Sequence, residues 1–191
     1  DSMQNAGARE IKDREHKTWT DVAPGWKKHD ALLVSKTKVV TNRLLDLLDL
    51  KAGQKVLDIA GGTGEPAIAV AQRVGNAGQV IATDFVEEML IFAREKARAA
   101  GLSNIEFRRV DGEQLDFPDD TFDGVTCRWG LMFMPEPIEC LKHALRVLKP
   151  GGRVAVACWA QPDKNAWASV PIGILRRHMN IAAPPPGAPG T

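Results

Sequence analysis

Eight consecutive residues hold the densest chemistry in the sequence: Asp58-Ile59-Ala60-Gly61-Gly62-Thr63-Gly64-Glu65. Glycines in such a run let the backbone turn sharply and let a ligand approach it closely. Gly62, Gly64 and Ala67 also fit the spacing of a dinucleotide fingerprint, so a nicotinamide enzyme is one reading. Asp84 stands twenty residues past Gly64, where a carboxylate can accept from both hydroxyls of a ribose. That feature serves several nucleotide-like ligands and does not discriminate. Charge does. Asp58 and Glu65 flank the loop, and a pyrophosphate set against two carboxylates in a partly dry site loses on the order of 2 kcal/mol or more. A cationic ligand gains from the same arrangement.

A third acidic segment, Asp111-Gly112-Glu113, can accept from an adenine amino group, although a turn with a helix cap suits Asp-Gly equally well. Adenine, ribose and a positively charged remainder describe S-adenosylmethionine, whose sulfonium and ammonium groups suit a rim of Asp58, Glu65, Asp84, Asp111 and Glu113. Methyl transfer from a sulfonium is an in-line displacement that needs alignment and exclusion of water. A general base enters only if the acceptor must first lose a proton. The histidines are His16, His29, His143 and His178. His29, His178 and Arg128 are the candidates for such a role, and none is singled out by spacing. The cysteines Cys127, Cys140 and Cys158 lack metal-ligand spacing, so no metal site is expected.

These residues need elements to position them. Lys55–Ala60 reads as a first strand ending at the glycine loop, and Ala67–Val74 as the helix after it. Gln79–Thr83 is a second strand, followed by a helix through Met89, Ala93 and Ala97 that Gly101 stops. Ile105–Val110 and Phe122–Cys127 are the third and fourth strands. Ile138, Leu141, Leu145 and Leu148 recur at helical spacing, and the turn Lys149-Pro150-Gly151-Gly152 leads into a fifth strand, Arg153–Trp159. Alternation of this kind predicts an α/β fold, a doubly wound, mostly parallel sheet with helices on both faces, and ligands outside the carboxyl ends of its strands. Ahead of it, residues 1–10 read as a loose start, and Pro24-Gly25 as a breaker between Trp19 and Trp26. A helix over residues 39–50 is then ended by Gly53. The expected organisation is a helical cap over residues 1–50, a ligand-binding core over 51–160, and a partial substrate cover with a proline-rich tail over 161–191.

Bulk properties narrow the partners. Among 191 residues, 25 are basic and 24 acidic. A net charge of +1 provides no footprint for nucleic acid or an anionic membrane, which leaves a small-molecule substrate. No apolar stretch has the length of a signal or membrane segment. Cys127 and Cys158 fall in runs that read as buried strands, so free thiols in a reducing cytoplasm are expected.

The quoted segments resemble class I S-adenosylmethionine-dependent methyltransferases, and within them the ubiquinone/menaquinone biosynthesis C-methyltransferase-like (type 11) branch. Val56–Glu65 is similar to the first motif of that branch, with Ala60 where most relatives carry glycine. Asp111–Pro118 with Thr121-Phe122-Asp123 resembles its adenine-site block, and Arg146–Gly152 the turn before its fifth strand. Val22–Trp26 is similar to its N-terminal segment, with Trp26 where an aromatic is usual. The resemblance implies that Asp58, Ala60, Gly61, Gly62, Thr63 and Gly64 hold the methionine part of the cofactor and Asp84 the ribose. Phe85 and Met89 would pack on the adenine, with plain helix packing the alternative, and Asp111, Gly112 and Glu113 would sit at its edge. Trp26 would join this site, and Arg128 and Trp129 would stand between cofactor and substrate. The five tryptophans suit a hydrophobic or quinone-like acceptor, or equally core packing. The family fold has seven strands and only five are read here. The fifth would then be an open edge able to pair with a second copy. A non-catalytic cofactor-binding scaffold stays as the alternative to an enzyme, and a nicotinamide oxidoreductase as a more distant one.

Overall fold

The computed structural model describes residues 2–179, so the proline-rich segment at 183–190 lies outside the described residues. The chain runs α1 (Ser2–Leu48), β1 (Lys55–Ile59), α2 (Ala67–Val74), β2 (Gln79–Asp84), α3 (Glu87–Ala99) and β3 (Ile105–Arg109). It continues through β4 (Phe122–Arg128), α4 (Pro137–Val147), β5 (Leu148–Ala157) and α5 (Ala166–His178). The strands form one parallel sheet in the order β3-β2-β1-β4-β5. The α/β fold with helices on both faces is therefore as expected.

Both faces of β1 are covered, which is why its apolar run is continuous rather than alternating. Val56 packs on one face with Leu44, Leu45 and Leu48 of α1 and with Val70 and Val74 of α2. Leu57 and Ile59 point the other way, into a second cluster with Phe122, Val125, Cys140 and Val147. Gly124 of β4 leaves room for Leu48 and Leu50, whose methyls stand 3.6 Å and 3.2 Å from where its Cβ would be. The helix termini follow local chemistry. Glu87 and Glu88 open α3, Lys96 and Arg98 close it, and Pro137 starts α4. Gly101, at φ +69°, ends α3 as expected.

The N-terminal reading is corrected in three ways. There is no loose start and no break at Pro24-Gly25: one helix of 47 residues runs through both. A proline inside a helix costs about 3 kcal/mol locally. Burial around it offsets that cost, since Ala23 packs with Val86 and Met89 beneath Trp19 and Trp26. The helix ends at Leu48 with Asp49 at φ +50°, ahead of Gly53. A further correction concerns β5. It begins at Leu148, paired with Phe122, and the turn at 149–152 is a bulge inside the strand before Arg153 pairs with Gly124. Cys127 and Cys140 are the buried thiols, whereas Cys158 lies past β5 and is exposed. Among the described residues β5 pairs with β4 alone. No described helix is long and apolar enough to cross a membrane.

Phe122 is fully buried and meets Phe117 edge-on at 5.3 Å. Phe122→Ala is expected to cost about 3–5 kcal/mol of unfolding free energy, checked by urea denaturation.

Candidate active site

β1 and β4 lie side by side and end together, with Ile59 opposite Cys127. The chain leaves β1 toward α2, whose buried face joins the first cluster, and leaves β4 toward α4, whose buried face joins the second. A crevice opens between two chains that diverge to opposite faces of a sheet. Here it is a cavity of about 490 Å³, floored by the loop after β1 and roofed by α1.

The loop reaches its shape through left-handed backbone at Ala60 (φ +54°), Gly62 (φ +52°) and Gly64 (φ +103°). Ala60 carries a Cβ in a region that favours glycine. Its methyl fits because the neighbour is Gly130, where a Cβ would stand 2.3 Å from it. Asp84, at the end of β2, fixes the loop from beside. Its Oδ2 accepts from the Gly62 amide at 2.9 Å and its Oδ1 from the Val86 amide at 2.9 Å. Burial pushes its pKa up to about 6, against the pull of those amides.

Asp58 is fully buried beneath the loop and does not line the cavity. Its Oδ1 accepts from the Thr126 hydroxyl at 2.6 Å, while Oδ2 has no hydrogen-bond partner among the described residues and lies under Gly61. Burial raises its pKa to about 7. Gly64 is also out of the wall, where its Hα side packs on Ile68 and Ala93.

The other residues read as cofactor contacts are brought together. Trp26, Ala60, Gly61, Gly62, Thr63, Asp84, Phe85 and Met89 line the cavity, as do Asp111, Gly112, Glu113, Arg128 and Trp129. Gly112 is required by closeness: a Cβ there would meet Ile59 and Met134 at 2.8 Å. Asp111 and Glu113 are held by Lys12 of α1, which contacts both carboxylates. Burial alone would lower the Lys12 pKa, but the two carboxylates outweigh it and raise it.

The histidines are not brought in. His29 and His178 are exposed, and no histidine lines the cavity. Arg128 does line it. Its Nη1 donates to Thr37 and Thr41 of α1 at 2.9 and 3.0 Å, and its guanidinium lies 4.8 Å from the Trp129 ring centre. Trp129 stacks on Trp159 at 4.8 Å with an interplanar angle of 3°, and Trp167 adjoins at 5.1 Å.

Of the roof, sequence reasoning placed Trp26 and missed the rest. Lys12, Glu15, Trp19, Asp30, Leu33, Val34 and Thr37 also face the cavity from α1. Steps of three, four and seven make most of them a helical stripe, legible once Pro24 is not taken as a stop. Among the described residues the lining then holds six carboxylates, from Glu15, Asp30, Glu65, Asp84, Asp111 and Glu113, against two cations, Lys12 and Arg128. That balance suits a cationic ligand and repels a pyrophosphate. The cavity's two ends differ, one acidic at Asp111 and Glu113 and one aromatic at Trp129 and Trp159. S-adenosylmethionine fits this set of groups: acceptors for ribose and adenine, a buried carboxyl under the loop that a cation would ionise, and backbone close enough to touch.

A model of the ubiE/COQ5 methyltransferase family matches residues 12–170. Demethylmenaquinone methyltransferase of Listeria welshimeri is 33% identical over 170 residues, covering 88% of this chain and 72% of that enzyme. The ubiquinone/menaquinone biosynthesis C-methyltransferase UbiE of Pseudomonas putida is 44% identical over 122 residues, 63% of this chain and 48% of the relative. Among solved structures, a SAM-dependent methyltransferase from Aquifex aeolicus has 28% identity and a TM-score of 0.59, covering 72% of this chain and 77% of its own. The [4+2]-cyclase SpnF has 36% identity and a TM-score of 0.57, covering 61% of this chain and 43% of its own.

Two outcomes follow from the charges. Lys12→Met leaves Asp111 and Glu113 facing each other, so the thermal midpoint is expected to fall by about 2–4 °C at pH 7. Asp58, with its pKa raised to about 7 in the folded state, keeps a proton that the unfolded chain gives up near pH 4. Its contribution is full below about pH 4 and is lost as pH rises through about 7. Urea unfolding at pH 5 to 8 should therefore show stability falling with pH, and Asp58→Asn should flatten that slope.

Proposed function

Since the chain belongs to the ubiE/COQ5 methyltransferase family, we propose that it methylates a small hydrophobic, aromatic acceptor of the quinone class. It is a class I S-adenosylmethionine-dependent methyltransferase. The observation that carries the acceptor reading is the continuity of one cavity. It runs from the nucleoside-binding acids to a wall of Trp129, Trp159, Trp167, Leu33, Val34 and Phe133. A flat apolar ring gains most from such a wall, because aromatic faces stack and expel water. The relatives named above act on demethylmenaquinone and in ubiquinone and menaquinone biosynthesis, which agrees with that chemistry.

In this reading Asp84 accepts from the ribose hydroxyls with the lone pairs its two amide donors leave free. Asp111, Gly112 and Glu113 meet the adenine edge, and Phe85 and Met89 its faces. The amides and left-handed turns of Ala60–Thr63 receive the methionine part, with Asp58 and Glu65 supplying negative potential from below and beside it. Bound S-adenosylmethionine supplies a methyl group already activated by its positive sulfur. The chain's own work is to align the acceptor and keep water out. Trp19 closes the roof on Phe133 at 5.0 Å, and Trp129 is held by its amide's bond to Ala157. Six carboxylates in the wall disfavour a nicotinamide oxidoreductase. A relative named as a [4+2]-cyclase makes direct detection of methyl transfer the proper test.

Calorimetric titration with S-adenosylhomocysteine should show binding at pH 7.5, weakened about tenfold or more in Asp84→Ala. NAD should give no heat. Mass spectrometry of a reduced quinone incubated with S-adenosylmethionine should show the added methyl. Binding of NAD in place of the homocysteine product would overturn the reading.

A further inference from the structure

The two halves of α1 are held by different means. The second is fixed in the core, where Leu44, Leu45 and Leu48 pack with Val56, Val70 and Val74. The first has no buried residue ahead of Ala23 among those described. What it touches is the cavity wall. Lys12 contacts Asp111 and Glu113, His16 meets Phe85 edge-on at 5.6 Å, and Trp19 meets Phe133 at 5.0 Å. All four of these partners line the cavity.

Between the halves stands Pro24-Gly25. Pro24 has no amide hydrogen, so the helical bond to the Thr20 carbonyl is missing at that turn. The buried Thr20 hydroxyl also lacks a hydrogen-bond partner among the described residues. Gly25 is not demanded by packing, since a Cβ there would meet nothing within 4 Å. Helices bend where a backbone bond is lost and a glycine adjoins, and here both fall at the boundary between the halves. Ala23, inside the turn at residues 20–25, is seated on Val86 and Met89. Just past that turn, Lys27 and Asp30 pair with Glu95 and Lys96 of α3 at 2.7 and 2.8 Å. Motion of the first half is thus stopped before it reaches the second.

The Lys12 contact adds a second observation. Asp111 Oδ1 accepts from the Glu113 amide at 2.9 Å, and its Oδ2 from Lys12 at 2.6 Å. Glu113 Oε1 accepts from the Glu136 amide at 2.6 Å, and its Oε2 faces Lys12. All four carboxylate oxygens at this end of the cavity are therefore engaged by the chain itself. The Lys12 ammonium stands where a ligand's amino group would have to donate.

Resting on the cofactor reading above, we propose that the first half of α1, up to Trp19, is a lid over the nucleoside end of the cavity, hinged at residues 20–25 and latched by Lys12. The adenine amino group and the Lys12 ammonium compete for Asp111 Oδ2, and cofactor entry displaces Lys12 from it. The latched form excludes the cofactor and the open form admits it. The apparent dissociation constant is then the intrinsic one divided by the open fraction. A charge-assisted bond is exchanged for a neutral one, so the latch opposes entry until the rest of the nucleoside is bound.

Two measurements on the full chain test this, with circular dichroism of each variant matching the wild type. Relaxation dispersion on the ligand-free protein reads the lid without any cofactor. Amides of residues 7–19 should exchange together on the microsecond-to-millisecond scale, while residues 37–48 stay silent. Lys12→Met should raise the open population about tenfold, and Lys12→Arg should leave it within about twofold. No exchange at residues 7–19 in either wild type or Lys12→Met, or one rate along the whole of α1, overturns the lid. Stopped-flow binding of S-adenosylhomocysteine reads the latch. Lys12→Met should associate about tenfold faster than wild type and bind tighter by a similar factor. Pro24→Ala restores the backbone bond, so association and dissociation should both slow about fivefold, with affinity within about twofold. Slower or weaker binding by Lys12→Met would make Lys12 a cofactor ligand and overturn the latch. Unchanged rates in Pro24→Ala overturn the hinge. Dispersion of the lid in a chain that binds no S-adenosylhomocysteine would uphold the hinge and overturn the cofactor reading.

Discussion

The constraint on which everything else rests is the place of β1 in a parallel sheet. With order β3-β2-β1-β4-β5, the chain moves outward in one direction from β1 through β2 to β3, and in the other through β4 to β5. The helices that follow β1 and β4 therefore cover opposite faces, and nothing fills the space between their first turns. A ligand site at that crevice costs no packing, because the topology has already left it open. At its floor the two chains approach closely where Ala60 meets Gly130.

Charge then decides what the crevice can hold. Asp58 is kept under the loop with one oxygen bonded to Thr126 and the other unsatisfied. Left alone, a fully buried carboxylate responds to desolvation by keeping a proton, which is the meaning of a pKa near 7. A cationic ligand above the loop reverses that balance by favouring the ionised form. The same site is thus slightly destabilising when empty and favourable when a sulfonium or ammonium group lies over it. Stability is given up at the place where binding recovers it.

The roof obeys a different logic. α1 is a long helix whose apolar contacts around Ala23 are supplemented by polar cross-links to the core. Lys12 reaches Asp111 and Glu113, Asp30 reaches Lys96 and Thr63, and Thr37 and Thr41 receive Arg128. Of these partners, Asp111, Glu113, Thr63 and Arg128 line the site itself. A ligand that takes over any of them also changes how firmly the roof is held, which couples binding to closure without any separate lid.

The sequence by itself determined the sheet, its strands and the residues of the loop. Those are local facts: strands buried on both faces are continuous apolar runs, and sharp turns between strand and helix demand glycine. Asp84, Asp111 and Glu113 were legible for the same reason, since Asp84 closes β2 and the other two follow within four residues of β3. The tertiary structure alone decided the fate of α1. Pro24-Gly25 reads as a stop by local propensity, and only burial of Ala23, Trp19 and Trp26 against Val86 and Met89 outweighs it. It also decided which acids face the cavity. Asp58 lies under the loop rather than in the wall, and the exposed His29 and His178 are far from any role a proton carrier would need. Whether a charged group is paired depends on residues distant in the chain, as Lys12 and Asp111 are, and spacing along the sequence does not encode that distance.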